Sequence, residues 1–145
     1  MSEKPISSLL KPTLETPFHI DFQWWQEHDP EWNAYLHGLL GEDLEKQLQE
    51  VGEENELDVV DPVTAEVSRA NALQYFLAQK MNQNEDENKG LSLVEAIFRE
   101  FLKNANLPLS SNELGTILDR PPNTILKTLS GARVYRGMRP VSTAS

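Results

Sequence analysis

Apolar residues recur at three- and four-residue intervals along most of this chain, and polar or Gly/Pro-rich breaks separate the runs. Trp32, Tyr35, Leu36, Leu39 and Leu40 predict an amphipathic helix over about 30–40. Asp29 is its expected N-cap, Pro30 suits the first turn and Gly41 ends it. A more acidic helix is expected over 42–51, stopping at Gly52. Leu57-Asp-Val-Val-Asp-Pro-Val-Thr-Ala-Glu-Val reads as two short β pieces around an Asp-Pro turn. From about Ser68 the spacing becomes helical again, with Ala70, Leu73, Phe76 and Leu77 on one face, and fades by Met81. Ahead of these elements, the aromatic-rich stretch from Phe18 to Asp29 reads as an extended or short helical segment.

Asn82-Gln-Asn-Glu-Asp-Glu-Asn-Lys-Gly90 has no apolar anchor and reads as a linker. Beyond it, Ser92 and Glu95 have capping-box spacing, and Leu93, Val94, Ile97, Phe98, Phe101 and Leu102 form an apolar stripe on a helix over 92–104. Asn104 to Pro108 closes it. Ser110 and Glu113 repeat the capping-box spacing and open a helix to about Leu118, with Leu114, Ile117 and Leu118 as its buried face. Asp119-Arg-Pro-Pro122 cannot continue an α-helix, because both prolines lack N–H groups and the first disfavours helical geometry before it. Pro122 or Asn123 opens the next helix, Ile125, Leu126 and Leu129 face inward, and Gly131 is the expected C′ residue. A strand is expected after Gly131, with Val134 on the core.

These signals divide the chain into a flexible arm (1–16), an acidic helical domain (17–82), a linker (83–90), a three-helix domain (91–141) and a tail (142–145). The expected fold class is mainly α. Charge supports the division. Residues 1–103 carry 8 basic and 21 acidic side chains, whereas residues 104–145 carry 5 basic and 2 acidic, within a total net charge of -10. An acidic half repels a phosphate backbone, so nucleic-acid contact is expected only at the C-terminal end. From Arg120 onward there is no acidic residue.

The pattern Leu-Ser-x-x-Glu-Leu at 109–114, a proline turn, and Thr-Ile-x-x-x-Leu at 124–129 resembles trihelical or winged helix-turn-helix regulators over residues 91–141. The whole chain, with its Trp24-Trp25 pair, also resembles an uncharacterised bacterial family, a resemblance that implies no activity. The helix-turn-helix resemblance implies a winged-helix-like C-terminal domain that binds duplex DNA and regulates transcription. Asn123, Thr124, Lys127 and Thr128 are the outward positions of the second helix, where amide, hydroxyl and ammonium groups suit base edges or phosphates. Arg120, Arg133, Arg136 and Arg139 are the expected phosphate contacts, the last three on a strand placed where a wing belongs. Residues 17–82 are expected to serve self-association or contact with a protein. The alternative is an interaction module that does not bind DNA and whose acidic domain docks a basic partner.

Other constellations change this picture little. His19, His28 and His37 lie near Asp21, Glu27, Asp29 and Glu31, but their nine-residue intervals fit no metal motif, so no metal and no cofactor are expected. Trp24, Trp25 and Trp32 beside an amphipathic helix read as core rather than ligand-binding residues. The carboxylates from Glu42 to Asp58 read as a solvated face, with mimicry of a phosphate backbone or docking of a basic surface as the alternative. There is no Gly-rich phosphate loop, no Gly-x-Ser-x-Gly elbow and no cysteine, so no catalytic residues are expected and the chain reads as a non-enzyme. The absence of cysteine, of a long apolar run and of a signal-peptide pattern points to a cytoplasmic protein that does not enter a membrane.

Overall fold

The computed structural model describes residues 11–60, 64–83 and 90–141. It is mainly helical, with a few short antiparallel strands. In order the elements are β1 (Pro17–Ile20), α1 (Phe22–His28), α2 (Trp32–Leu40), α3 (Glu42–Val51), β2 (Glu56–Val60), β3 (Val67–Asn71), α4 (Ala72–Gln83), α5 (Leu93–Lys103), β4 (Leu109–Ser110), α6 (Ser111–Leu118), α7 (Pro122–Leu129) and β5 (Met138–Pro140). No helix of the described residues is long and apolar enough to cross a membrane.

β1 alternates outward and inward, burying Phe18 and Ile20 completely or nearly so. Pro17 sits at its first residue, where a missing N–H does least harm to a ladder. β1 is the middle strand of a three-stranded sheet in the order β4-β1-β5, antiparallel to both neighbours. The side chain of Asn106 extends the β4 side. Its Oδ1 accepts from the Ile20 N–H at 2.8 Å and its Nδ2 donates to the Ile20 carbonyl at 2.9 Å.

The hydrophobic core is one large cluster, with a small second one of Val59, Ala70 and Ala78 where the β2–β3 pair packs on α4. The large cluster runs from Phe18, Ile20 and Trp25 through Leu36, Leu40, Leu48 and Leu77 to Ile97, Phe98, Phe101, Leu114, Ile125 and Met138. The acidic half and the C-terminal helices therefore share a core across the expected linker, of which residues 84–89 lie outside the described residues. Residues 1–10 of the expected arm and 142–145 of the expected tail also lie outside them. At the centre Trp25 meets Phe98, Tyr35 and Trp32 edge-on, with ring centroids 5.6, 6.1 and 6.3 Å away. Edge-to-face pairs of this kind add about 0.5–1.5 kcal/mol beyond the area they bury.

Several expectations need correction. The stretch from Ser68 is not yet helix: Val67–Asn71 pair with Glu56–Val60 in register, Val60 opposite Val67 and Glu56 opposite Asn71. The helix waits until Asn71 Oδ1 accepts the Gln74 N–H at 2.8 Å. The expected Asp-Pro turn falls on residues 61–63, which lie outside the described residues. Asp29 is not the N-cap of α2. It accepts the Glu31 N–H at 2.9 Å and the Trp25 indole N–H at 3.1 Å, and α2 starts after Glu31. Ile117 is 48% exposed rather than buried, and Val134 is 36% exposed rather than packed on the core. Gly131 is not left-handed. α7 ends at Ser130, whose N–H and hydroxyl both bond to the Leu126 carbonyl, and the left-handed residues come later, at Arg136 and Gly137.

Candidate nucleic-acid interface

α6 begins with a complete capping box. The Glu113 N–H donates to Ser110 Oγ at 3.1 Å, and the Ser110 N–H donates to Glu113 Oε1 at 2.8 Å. It ends at Asp119, whose left-handed backbone (φ 55°, ψ 49°) turns the chain toward α7. Only Asp119, Arg120 and Pro121 separate the two helices. Gly115 permits this closeness: a Cβ there would lie 2.8 Å from the Arg120 carbonyl oxygen and 2.8 Å from Pro122 Cγ. Pro122 takes the first position of α7, where its missing N–H leaves no helical bond unmade.

α7 buries Ile125 and Leu129 and leaves Asn123, Thr124 and Lys127 exposed on the opposite side. Thr128 is half-buried, and its hydroxyl donates to the Thr124 carbonyl at 3.0 Å, so its proton is directed at its own helix. Arg120, in the turn, and Arg133, beyond α7, are exposed. Among the described residues, Arg120, Lys127 and Arg133 make no ion pair. Five residues thus present an uncommitted polar or cationic group on or beside α7.

Arg136 and Arg139 are placed differently. After a turn in which the Met138 N–H bonds to the Tyr135 carbonyl, the chain enters β5 and pairs with β1, Arg139 opposite His19. The strand is therefore taken into the sheet with the N-terminal segment and is no free wing. Arg139 donates to Asp21 Oδ2 at 3.0 Å, with its guanidinium 5.5 Å from the Trp24 ring centre. Arg136 reaches inward. Its guanidinium lies 3.8 Å over the Tyr35 ring and 4.6 Å from that of Tyr135, and Nη1 donates to Glu95 Oε1.

Glu95 gathers four donors from three parts of the chain. Besides Arg136 it accepts the Tyr135 hydroxyl at 2.9 Å, the Tyr35 hydroxyl at 3.0 Å and Arg99 Nε at 3.2 Å. Burial by itself would raise its pKa. The hydrogen bonds from Tyr135, Arg99 and Arg136, with the Arg136 charge, outweigh burial and hold the carboxyl below its ordinary range. Tyr35 moves the other way, pushed up to about 12 by burial and by the Glu95 charge. Tyr135 is raised for the same reasons. The cluster, one carboxylate shared by two guanidinium groups and two phenols, ties α2, α5 and the C-terminal segment together. Residue spacing gave no hint of it, because Tyr35, Tyr135 and Arg136 lie 60, 40 and 41 positions from Glu95, and only Arg99 is a helical neighbour.

The remaining sequence candidates are scattered. Trp25 is core, whereas Trp24 stacks on His28 at 3.9 Å near the surface. His37 lies between Glu45 and Glu53, at 2.7 and 3.0 Å, and His19 is on β1. Burial lowers the His19 pKa, with Asp21 opposing and Arg139 assisting. Among the described residues, no three His, Asp or Glu side chains stand together in a metal-holding group. No protein-family model, curated protein or solved structure matches this chain.

Proposed function

We propose that α5, α6 and α7 act as a trihelical helix-turn-helix unit that binds duplex DNA, with α7 entering the major groove and the acidic remainder of the chain held away from it, in the service of transcriptional regulation. The observation that carries this reading is the solvent-facing side of α7. Asn123, Thr124 and Lys127 stand exposed there, flanked by Arg120 and Arg133, and none of the three cations is tied up in an ion pair with a described residue. Arg136 and Arg139 leave the expected phosphate set, since ion pairs with Glu95 and Asp21 already occupy them.

Three cations imply modest affinity. With about 0.9 counterions released per phosphate neutralised, the binding constant should fall with salt at a log–log slope near -3. Titrating a labelled random duplex by fluorescence anisotropy at two salt concentrations tests this. An Arg120/Lys127/Arg133→Ala triple variant should lose binding, while Arg139→Ala should keep it. No binding at low salt, or binding indifferent to the triple variant, sinks the proposal. A second reading has one observation in its favour. Ile117 on α6 and Val134 after α7 are large apolar side chains left exposed, as a protein-docking surface requires. Loss of a co-purifying partner in an Ile117→Lys variant, together with a silent DNA titration, would select that reading.

A further inference from the structure

Away from the helix-turn-helix, three adjoining depressions form a groove along α4. One, of about 440 Å³, lies between Gln47 and Val51 of α3 and Leu57 and Asp58 of β2, with Tyr75 and Gln79 of α4 in its wall. A second, of about 280 Å³, continues past Asp58, Val59 and Val60 and shares Tyr75 and Gln79. A third, of about 340 Å³, extends it toward Glu42 and Asp43 through Gln47 and Gln79.

We propose that this groove receives an extended, lysine- or arginine-bearing segment of a partner protein, which adds as a third strand to the free edge of β2. Three features lead there. Among the described residues β2 pairs with β3 alone, and its backbone makes no hydrogen bond beyond that ladder. About half of its N–H and C=O groups therefore point sideways without a partner among the described residues. The groove lies on that edge, because three consecutive β2 residues line it and no β3 residue does. A strand laid there would complete the ladder and set alternate side chains down toward Tyr75 and Gln79, the mode by which extended peptides augment a sheet.

Composition of the walls decides the occupant. Val51 and Val60, 36% and 56% exposed, offer apolar contact along the groove. Glu42, Asp43 and Asp58 supply negative charge against Lys80 and against Arg69, which pairs with Asp58 at 3.5 Å across the β2–β3 ladder. A second copy of this chain would bring the same acidic half, in a region where residues 1–103 carry a net charge of -13, and repulsion disfavours it. A strand of alternating basic and β-branched residues satisfies backbone, apolar and ionic demands together.

The test uses the full chain and a fluorescein-labelled peptide of alternating lysine and valine. Three comparisons accompany it: the same peptide N-methylated at alternate residues, a glutamate–valine peptide, and an Asp58→Lys/Val60→Lys variant. Both substituted positions are exposed, so the variant should keep its circular dichroism, and loss of the exposed Asp58–Arg69 pair should lower its melting temperature only slightly. The lysine–valine peptide should bind at least about tenfold tighter than either control peptide. The double variant should lose at least about tenfold in affinity, and amide exchange should slow in Glu56–Val60 when peptide is added. Equal binding of the N-methylated peptide would reduce the effect to ionic attraction and overturn strand addition. Undiminished binding to the double variant, or protection confined to α7, would overturn the site. Dimerisation abolished by Val60→Lys would assign the edge to a second copy and overturn the basic partner. DNA takes no part in these measurements, so their outcome does not depend on the fate of the nucleic-acid reading.

Discussion

Two Ser-x-x-Glu sequences open two helices of this protein, and they meet different fates. At α6, Ser110 and Glu113 exchange both hydrogen bonds of a capping box. At α5, Ser92 accepts the Glu95 N–H at 3.3 Å, but the Glu95 carboxylate turns away to Tyr35, Tyr135, Arg99 and Arg136. The local motif is identical, so the difference lies in what the rest of the chain brings near. A neutral backbone N–H in solvent competes weakly with an arginine desolvated against Tyr35, because charge-assisted bonds in a part-buried site are about twice as strong. A helix-start motif therefore predicts the helix more securely than it predicts the role of its own glutamate.

The contrast breaks most visibly at Glu95. Its side chain is 14% exposed and that of Arg136 is 26% exposed, so Glu95→Ala leaves a part-buried cation without its acid. A loss of about 3–5 kcal/mol in urea unfolding is expected, against about 1 kcal/mol for Glu113→Ala. Equal losses would mean that Glu95 is an ordinary capping residue. Acidity should read out the same difference. Because the folded-state pKa of Glu95 is depressed, its contribution is present above the unfolded value of 4.5 and disappears as pH falls through the folded value. The stability gap between the wild-type chain and Glu95→Gln should thus be constant near neutrality and close in acid. Tyr35 has the opposite sign. Its contribution is complete below pH 10 and should fade as pH rises toward about 12, which ultraviolet absorbance of the ionising phenol can follow.

The next effect sharpens the other side of the contrast. The α6–α7 turn depends on backbone proximity at Gly115 rather than on any charge, and Gly115→Ala should cost about 1–3 kcal/mol through overpacking against Arg120 and Pro122. A neutral result would show that the helices can separate freely, and it would weaken the case for a fixed recognition helix. The smallest effects are couplings between cap residues. A double-mutant cycle on Ser110 and Glu113 should give an interaction of about 0.5–1 kcal/mol, and the same cycle on Ser92 and Glu95 should give nearly none. Measurable coupling at the second pair would show that Glu95 divides its hydrogen bonding between cap and cluster.

Much of the helical framework is written in local sequence. Gly41 and Gly52 stop α2 and α3, Ser110 starts α6, Pro122 starts α7, and Ile125 and Leu129 face the core as their spacing predicts. These features follow from caps, prolines and a 3.6-residue period, which act over a few residues and need no distant partner. Less could be read where partners are remote. Val67–Asn71 became a strand because Glu56–Val60 lies opposite, although its own spacing suggested a helix. The candidate site divides along the same line. Asn123, Thr124 and Lys127 are exposed as the helix period requires, whereas Arg136 and Arg139 were expected to be available to phosphates and are ion-paired with Glu95 and Asp21, 41 and 118 positions away. Periodicity tells which side of a helix meets water; which acid an arginine meets depends on how the sheet β4-β1-β5 draws the two ends of the chain together.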